Sequence, residues 1–263
     1  MRKVTIIVET RKYKALPFVL NNAMSILSND WNLQIFHSSN NLDYIEELIE
    51  KDKLLNTMKD RIIFNCLSES NILKLENTEL EDRNSSLFLT EEFWESVVSE
   101  TILQIECDTI LCPSSKNKIE DFKHFDYIGG YWGNVLGMLD SDYSRVMNGG
   151  LSVRKKSFML DIIKNELQPY LDRGGNSCED YFVSACVRNK PTVREVLNFS
   201  IDCGYMYPLD NKAPFGLHKP WGTTPSKGHG RYYDEIKKVC PEVEILKSVQ
   251  YIEEKKTMVD SNE

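Results

Sequence analysis

No hydrophobic run in this chain is long. Its first apolar stretch, Val4 to Val8, is too short for a signal-peptide core and far too short to span a bilayer. We therefore expect no membrane span and no secretory anchor, and the setting expected is the cytoplasm. An excess of positive charge is also missing. Lys and Arg total 32 against 40 Asp and Glu, and the formal net charge of -8 argues against a nucleic-acid binder that works through bulk attraction. The seven cysteines, at 66, 107, 112, 178, 186, 203 and 240, include no C-x-x-C pair and are odd in number. That pattern suits reduced, mostly buried thiols better than a disulfide framework. Cys107 and Cys112 have no His/Cys pair at finger spacing beside them, which favours packing over a zinc site. Repeats and persuasive linkers are absent too, so residues 1–248 read as one domain followed by a charged tail, 249–263, frayed beyond Glu253.

What is present is an ordinary globular composition, 41% hydrophobic and 27% charged over 263 residues. Val4 to Val8 is apolar and bounded by charge, as in a strand buried on both faces of a parallel sheet. Pro17 can open a helix carrying Phe18, Leu20, Ala23, Met24 and Leu27 at helical spacing. Trp31 to His37 and Arg61 to Leu67 read as further strands, with a helix capped by Asn41 between them. This alternation predicts an α/β fold with a mostly parallel central sheet flanked by helices. Asn71 to Asn84 reads as a loop or weak helix, and Thr90 as the cap of a helix through Val98. Later segments predict helices over 155–167, 177–187 and 232–239. Between the last two, the Pro- and Gly-dense stretch 208–230 is expected to be a functional loop.

Thr101 to Cys112 reads as a buried strand interrupted by Glu106 and Asp108. Positions i and i+2 of a strand share a side, so both carboxylates would lie together where it ends. A hard divalent cation, Mg²⁺ or Mn²⁺, would offset their repulsion and leave positions open for phosphates. A solvated turn is the alternative for so short a motif. Gly149 and Gly150 permit either a sharp turn or a close approach of backbone to ligand. Glu179 and Asp180 open a helix, where carboxylates serve as capping groups or as catalytic ones.

Taken in order, Val8-Glu9-Thr10-Arg11, Cys107-Asp108-Thr109-Ile110-Leu111-Cys112, Phe125-Asp126-Tyr127-Ile128-Gly129, Asn148-Gly149-Gly150-Leu151-Ser152-Val153-Arg154, Glu179-Asp180 and His218-Lys219-Pro220-Trp221 resemble a GT-A-fold glycosyltransferase. The resemblance is to a glycosyltransferase-like domain family of fungi, bacteria and large DNA viruses, and covers about Lys3 to Trp221. It implies a single GT-A (nucleotide-diphospho-sugar transferase) domain that moves a sugar from a nucleotide-diphosphate donor to a hydroxyl of a glycan, protein or small molecule. Asp108, with Glu106 where the family pattern has Gln, would bind Mn²⁺ or Mg²⁺. His218 would be a third ligand and Lys219 a charge partner for the diphosphate. Thr10 and Arg11 would meet the donor, and Gly149 and Gly150 would let the backbone approach it. Asp180, or else Glu179, would take the acceptor's proton, a geometry that predicts inversion. Tyr131 and Trp132, with Tyr127, offer faces for the acceptor's sugar ring. Two competing readings are a nucleotide-sugar-forming nucleotidyltransferase, for which Glu9-Thr10-Arg11-Lys12 lacks the glycines, and a catalytically silent carbohydrate-binding or scaffold protein.

Overall fold

The structure, a computed structural model, describes residues 3–77, 85–131, 146–202, 212–222 and 233–260. The described strands are β1 (Lys3–Val8), β2 (Trp31–His37), β3 (Ile62–Cys66), β4 (Thr101–Ile105), β5 (Thr109–Leu111), β6 (Tyr127–Tyr131), β7 (Met147–Lys155), β8 (Ser200–Ile201) and β9 (Gly216–His218). The helices are α1 (Leu16–Ile26), α2 (Leu42–Lys51), α3 (Lys53–Thr57), α4 (Glu69–Asn77), α5 (Ser85–Phe88), α6 (Glu91–Ser96), α7 (Lys156–Asp172), α8 (Glu179–Cys186), α9 (Val193–Phe199), α10 (Tyr233–Val239) and α11 (Val243–Asp260).

The strands form one sheet in the order β3-β2-β1-β4-β7-β6-β8-β9-β5. β1 pairs in parallel with β2 and β4, and β2 with β3, as the strand and helix alternation predicts. Val4, Ile6 and Ile7 are fully buried, the mark of a strand covered on both faces. β7 runs antiparallel between β4 and β6, and β8 joins β6 and β9 in parallel. The result is the expected α/β architecture, with a mostly parallel sheet.

Several local readings are corrected. The acidic stretch is not one strand: β4 stops at Ile105, a turn carries Glu106 to Asp108, and β5 restarts at the far edge of the sheet. Asn41 does not cap α2 with its side chain. Fully buried, it accepts from the Ser38 amide at 2.9 Å and donates to the carbonyls of Glu9 and Arg11 at 2.8 and 3.0 Å, pinning the loop after β1. One further helix crosses residue 248. α11 runs through it to Asp260, with Gln250 buried beneath. No helix among the described residues is long and apolar enough to cross a membrane.

Candidate metal centre

β5 and β9 pair antiparallel with Thr109 opposite His218, and the Lys219 amide extends that ladder to the Asp108 carbonyl at 3.0 Å. A ladder between segments more than a hundred residues apart thus sets the imidazole beside the acidic turn. His218 Nε2 lies 3.0 Å from Asp108 Oδ1 and 3.3 Å from Glu106 Oε2. The three side chains offer ligand atoms all within 4.8 Å of one another.

β8 supplies what the sequence did not reveal. Its parallel register with β9, Ile201 opposite Leu217, makes Asp202 the neighbour of His218, and His218 Nδ1 meets Asp202 Oδ1 at 2.9 Å. A carboxylate on Nδ1 holds one proton there and turns Nε2 toward Glu106 and Asp108, where it is a donor to the carboxylates when the ring is charged and a lone pair for a cation when it is neutral. Both Nε2 and Asp108 Oδ1 are buried and, outside this acidic cluster, have no hydrogen-bond partner. Burial opposes charge on the ring, but Asp108 and Asp202 outweigh it and raise the His218 pKa well above the ordinary value. Burial likewise works against the Asp108 carboxylate, yet His218 and then Lys219 hold its pKa below the usual range. Two carboxylates and an oriented imidazole, with buried unpartnered atoms pointing inward, fit a divalent cation.

The other expected site residues distribute around this cluster. Arg11 grips Glu9 through Nε and Nη2 at 2.9 and 2.8 Å and stacks on Tyr13, 4.6 Å from its ring centre. The Thr10 carbonyl accepts from Ser38 at 3.0 Å. This loop adjoins the acidic turn, because burial and Glu9 push the Cys107 thiol up and keep it protonated, donating to Glu9 Oε2 at 3.3 Å. Lys219 has its Nζ 3.7 Å from Asp108 Oδ2 and a φ of 48°, in the left-handed region. Among the described residues no other non-glycine has a positive φ, and such strain gathers at functional sites.

Gly149 and Gly150 face opposite ways from β7. A Cβ on Gly150 would sit 2.4 Å from His218 Nε2, and one on Gly149 2.8 Å from Asp180 Oδ1. Asp180 accepts from the Gly149 amide at 2.7 Å and from Asn148 Nδ2 at 3.1 Å. Glu179 has a different fate. It is the counter-ion of Arg154, which is fully buried and ringed by Phe88, Trp94 and Tyr127. That pairing gives Arg154 a buried counter-charge in Glu179, whereas Asp180 faces the Gly149 amide and Asn148. Tyr131, the last residue of β6, is 8% exposed. Trp132 lies outside the described residues.

A groove of about 500 Å³ lined by Asp126, Asp161, Glu166 and Arg173 also indents the surface. Asp126 precedes β6 and accepts from the Lys155 amide beside the start of β4, whereas Glu106 follows the end of β4, so the groove lies toward the other ends of these strands and plays no part in this centre.

A family model described as "Protein of unknown function (DUF5672)" matches residues 69–218. The chain belongs to this family. No curated protein matches it in sequence. Among solved structures, the glycosyltransferase GlyE of Streptococcus pneumoniae TIGR4 aligns with a TM-score of 0.56 at 10% identity, over 94% of this chain and 63% of that one. The galactosyltransferase LgtC, solved with donor and acceptor sugar analogues, gives 0.55 at 10% identity over 90% and 94%. The bifunctional glycosyltransferase WbbM gives 0.53 at 10% identity over 94% and 51%. The chain thus spans less than two thirds of GlyE and about half of WbbM. This member of the family has the GT-A glycosyltransferase fold.

Proposed function

We propose that the protein is a metal-dependent glycosyltransferase, moving a sugar from a nucleotide-diphosphate donor to a hydroxyl acceptor. The observation that carries this reading is the convergence of Glu106, Asp108 and an Asp202-oriented His218 within 4.8 Å of one another. Those three residues would hold Mn²⁺ or Mg²⁺, and the imidazole tips the donor set toward Mn²⁺. The ion, when bound, neutralises the donor's diphosphate as it leaves. Lys219, beside Asp108, adds a second positive charge. Thr10 and Arg11 hold the donor's base, ribose or phosphates, and the bare backbone of Gly149 and Gly150 supports the donor site by making way for Asp180 and His218. The acceptor is a glycan, protein or small-molecule hydroxyl, and the setting proposed, on the cysteine pattern alone, is the cytoplasm. The domain proposed is 1–248 together with the part of α11 that carries Gln250.

The deciding experiment is a thermal shift screen. UDP, GDP or dTDP at about a hundred times Kd should add about 2.7 kcal/mol. At about 2–4 °C per kcal/mol for a chain of this size, that is roughly 5–10 °C, and only with Mn²⁺ or Mg²⁺ present. An equal shift in excess chelator would remove the metal from the reading. Asp202→Asn should weaken Mn²⁺ binding about 10–100-fold, as lost outer-shell carboxylates do, measured by titration against the free-ion resonance signal.

Asp180 is proposed as the base. Burial first, then the Glu179 charge, raise its pKa well above the ordinary value, which makes it a ready proton acceptor once ionised. Asp180→Asn should cut transfer by about 10²–10⁴ with donor affinity intact. Direct displacement should give the inverted anomer; a retained anomer in the product spectrum would take the base role from Asp180. The stability sign follows from the same shift. A carboxyl whose folded pKa is raised stabilises fully below its unfolded value of about 4, and that contribution is lost as pH climbs through the folded value. The melting difference between wild type and Asp180→Asn should therefore move in the variant's favour from pH 4 upward. A pH-independent difference would deny the raised pKa.

A further inference from the structure

The turn that carries the two acidic ligands is held from behind by the C-terminal helix. Glu106-Cys107-Asp108-Thr109 is a β-turn closed by the Thr109 amide on the Glu106 carbonyl at 3.0 Å. Thr109 Oγ1 accepts from the Glu106 amide at 3.2 Å and donates to the Gly150 carbonyl at 3.1 Å, which fixes the two ends. The central peptide, between Cys107 and Asp108, is left to other groups. In such turns that peptide is the one that rotates between type I and type II, and the rotation redirects the third residue's side chain. Here the third residue is Asp108.

Gln250 of α11 takes hold of this peptide. It is 6% exposed, and its Nε2 donates to the Cys107 carbonyl at 2.8 Å. Its Oε1 accepts from the Tyr13 hydroxyl, while Tyr44 donates to the Tyr13 carbonyl at 3.0 Å and Arg11 stacks on the Tyr13 ring. α11 itself is anchored by Val243 and Leu246, both fully buried. A buried glutamine with both ends engaged is costly to place unless each bond is made, and these bonds join the acidic turn to the loop after β1.

We propose that Gln250 is a positioning residue that clamps the Cys107–Asp108 peptide, so that α11 sets the direction of the Asp108 ligand and ties it to the donor loop. This rests on the metal reading above. The test compares wild type, Gln250→Leu, which removes both bonds at similar volume, and Tyr13→Phe, which leaves the Cys107 bond. Two readouts are used: amide exchange of the folded, metal-free protein, and Mn²⁺ titration. Gln250→Leu should speed exchange at the Thr109 amide at least tenfold, with β1 amides unchanged, and weaken Mn²⁺ about tenfold. Tyr13→Phe should change Mn²⁺ affinity less than threefold. Unchanged exchange at Thr109 in Gln250→Leu overturns the clamp, as does faster exchange spread equally over β1. Faster local exchange in a protein whose wild type binds no Mn²⁺ upholds the clamp and overturns the metal reading instead.

Discussion

Replacing Gly150 by alanine should abolish metal-dependent nucleotide binding in a protein that still folds. The new Cβ would lie 2.4, 2.5 and 2.7 Å from Nε2, Cε1 and Cδ2 of His218, inside any real contact distance. The ring has little room to yield, since it is buried and its other nitrogen is tied to Asp202. The strand has little room as well: β7 is laddered to β4 on one side and β6 on the other, with Leu151 opposite Ile105 and Asn148 opposite Gly130. The strain therefore falls on the atom proposed to coordinate. Overpacking of this kind costs about 1–3 kcal/mol, so circular dichroism should still report a folded chain while the Mn²⁺-dependent thermal shift disappears. Gly149→Ala is the control. Its Cβ would strike Arg154 Nη2 at 2.3 Å and the carboxylates of α8, on the other side of the strand. It should lower stability more and Mn²⁺ affinity less. Full Mn²⁺ affinity in Gly150→Ala would show that His218 Nε2 is no ligand.

How far such a site can be read without coordinates depends on how local its causes are. β1 and β2 were legible because continuous burial writes an apolar run into the chain, and α1 because its face repeats at helical spacing. Asp108 and His218 were legible only as members of an ordered set of motifs, since a two-residue acidic pattern carries little on its own. Asp202 left almost no trace. β8 is two residues long, and the register that places its carboxylate on His218 Nδ1 exists only once β9 has formed. Gln250 was hidden in the opposite way, inside a segment that looks solvated because its buried residues alternate with exposed ones such as Glu244, Ile245 and Ser248. Asn41 and Glu179 show the limit of local rules. Each stands where a helix cap or first-turn acid belongs, and each is drawn away by a partner distant in sequence, Asn41 by the β1 loop and Glu179 by Arg154.

Arg154→Met should destabilise the fold more than any of the other single substitutions. The guanidinium is fully buried, donates to Ser152 Oγ at 2.9 Å and to the Gly149 carbonyl at 3.3 Å, and has Glu179 as its counter-charge. Removing one member of a buried pair costs about 3–5 kcal/mol, or roughly 10 °C in melting temperature for a chain of this size. The loss should also deepen with pH. Without the cation, Asp180 loses the charge that holds its raised pKa down, and a carboxyl with a raised pKa subtracts stability as pH climbs through it. Glu179→Gln should cost less, because Asp180 stands next to the pair and can ionise to replace the missing charge. In Arg154→Met combined with Glu179→Leu no buried ion remains unmatched, so the double variant should melt above Arg154→Met alone. A melting temperature for Arg154→Met within 2 °C of wild type at both pH 5 and pH 8 would mean that this ion pair does not hold β7 to α8. The placement of Gly149 and Asp180 would then need another cause.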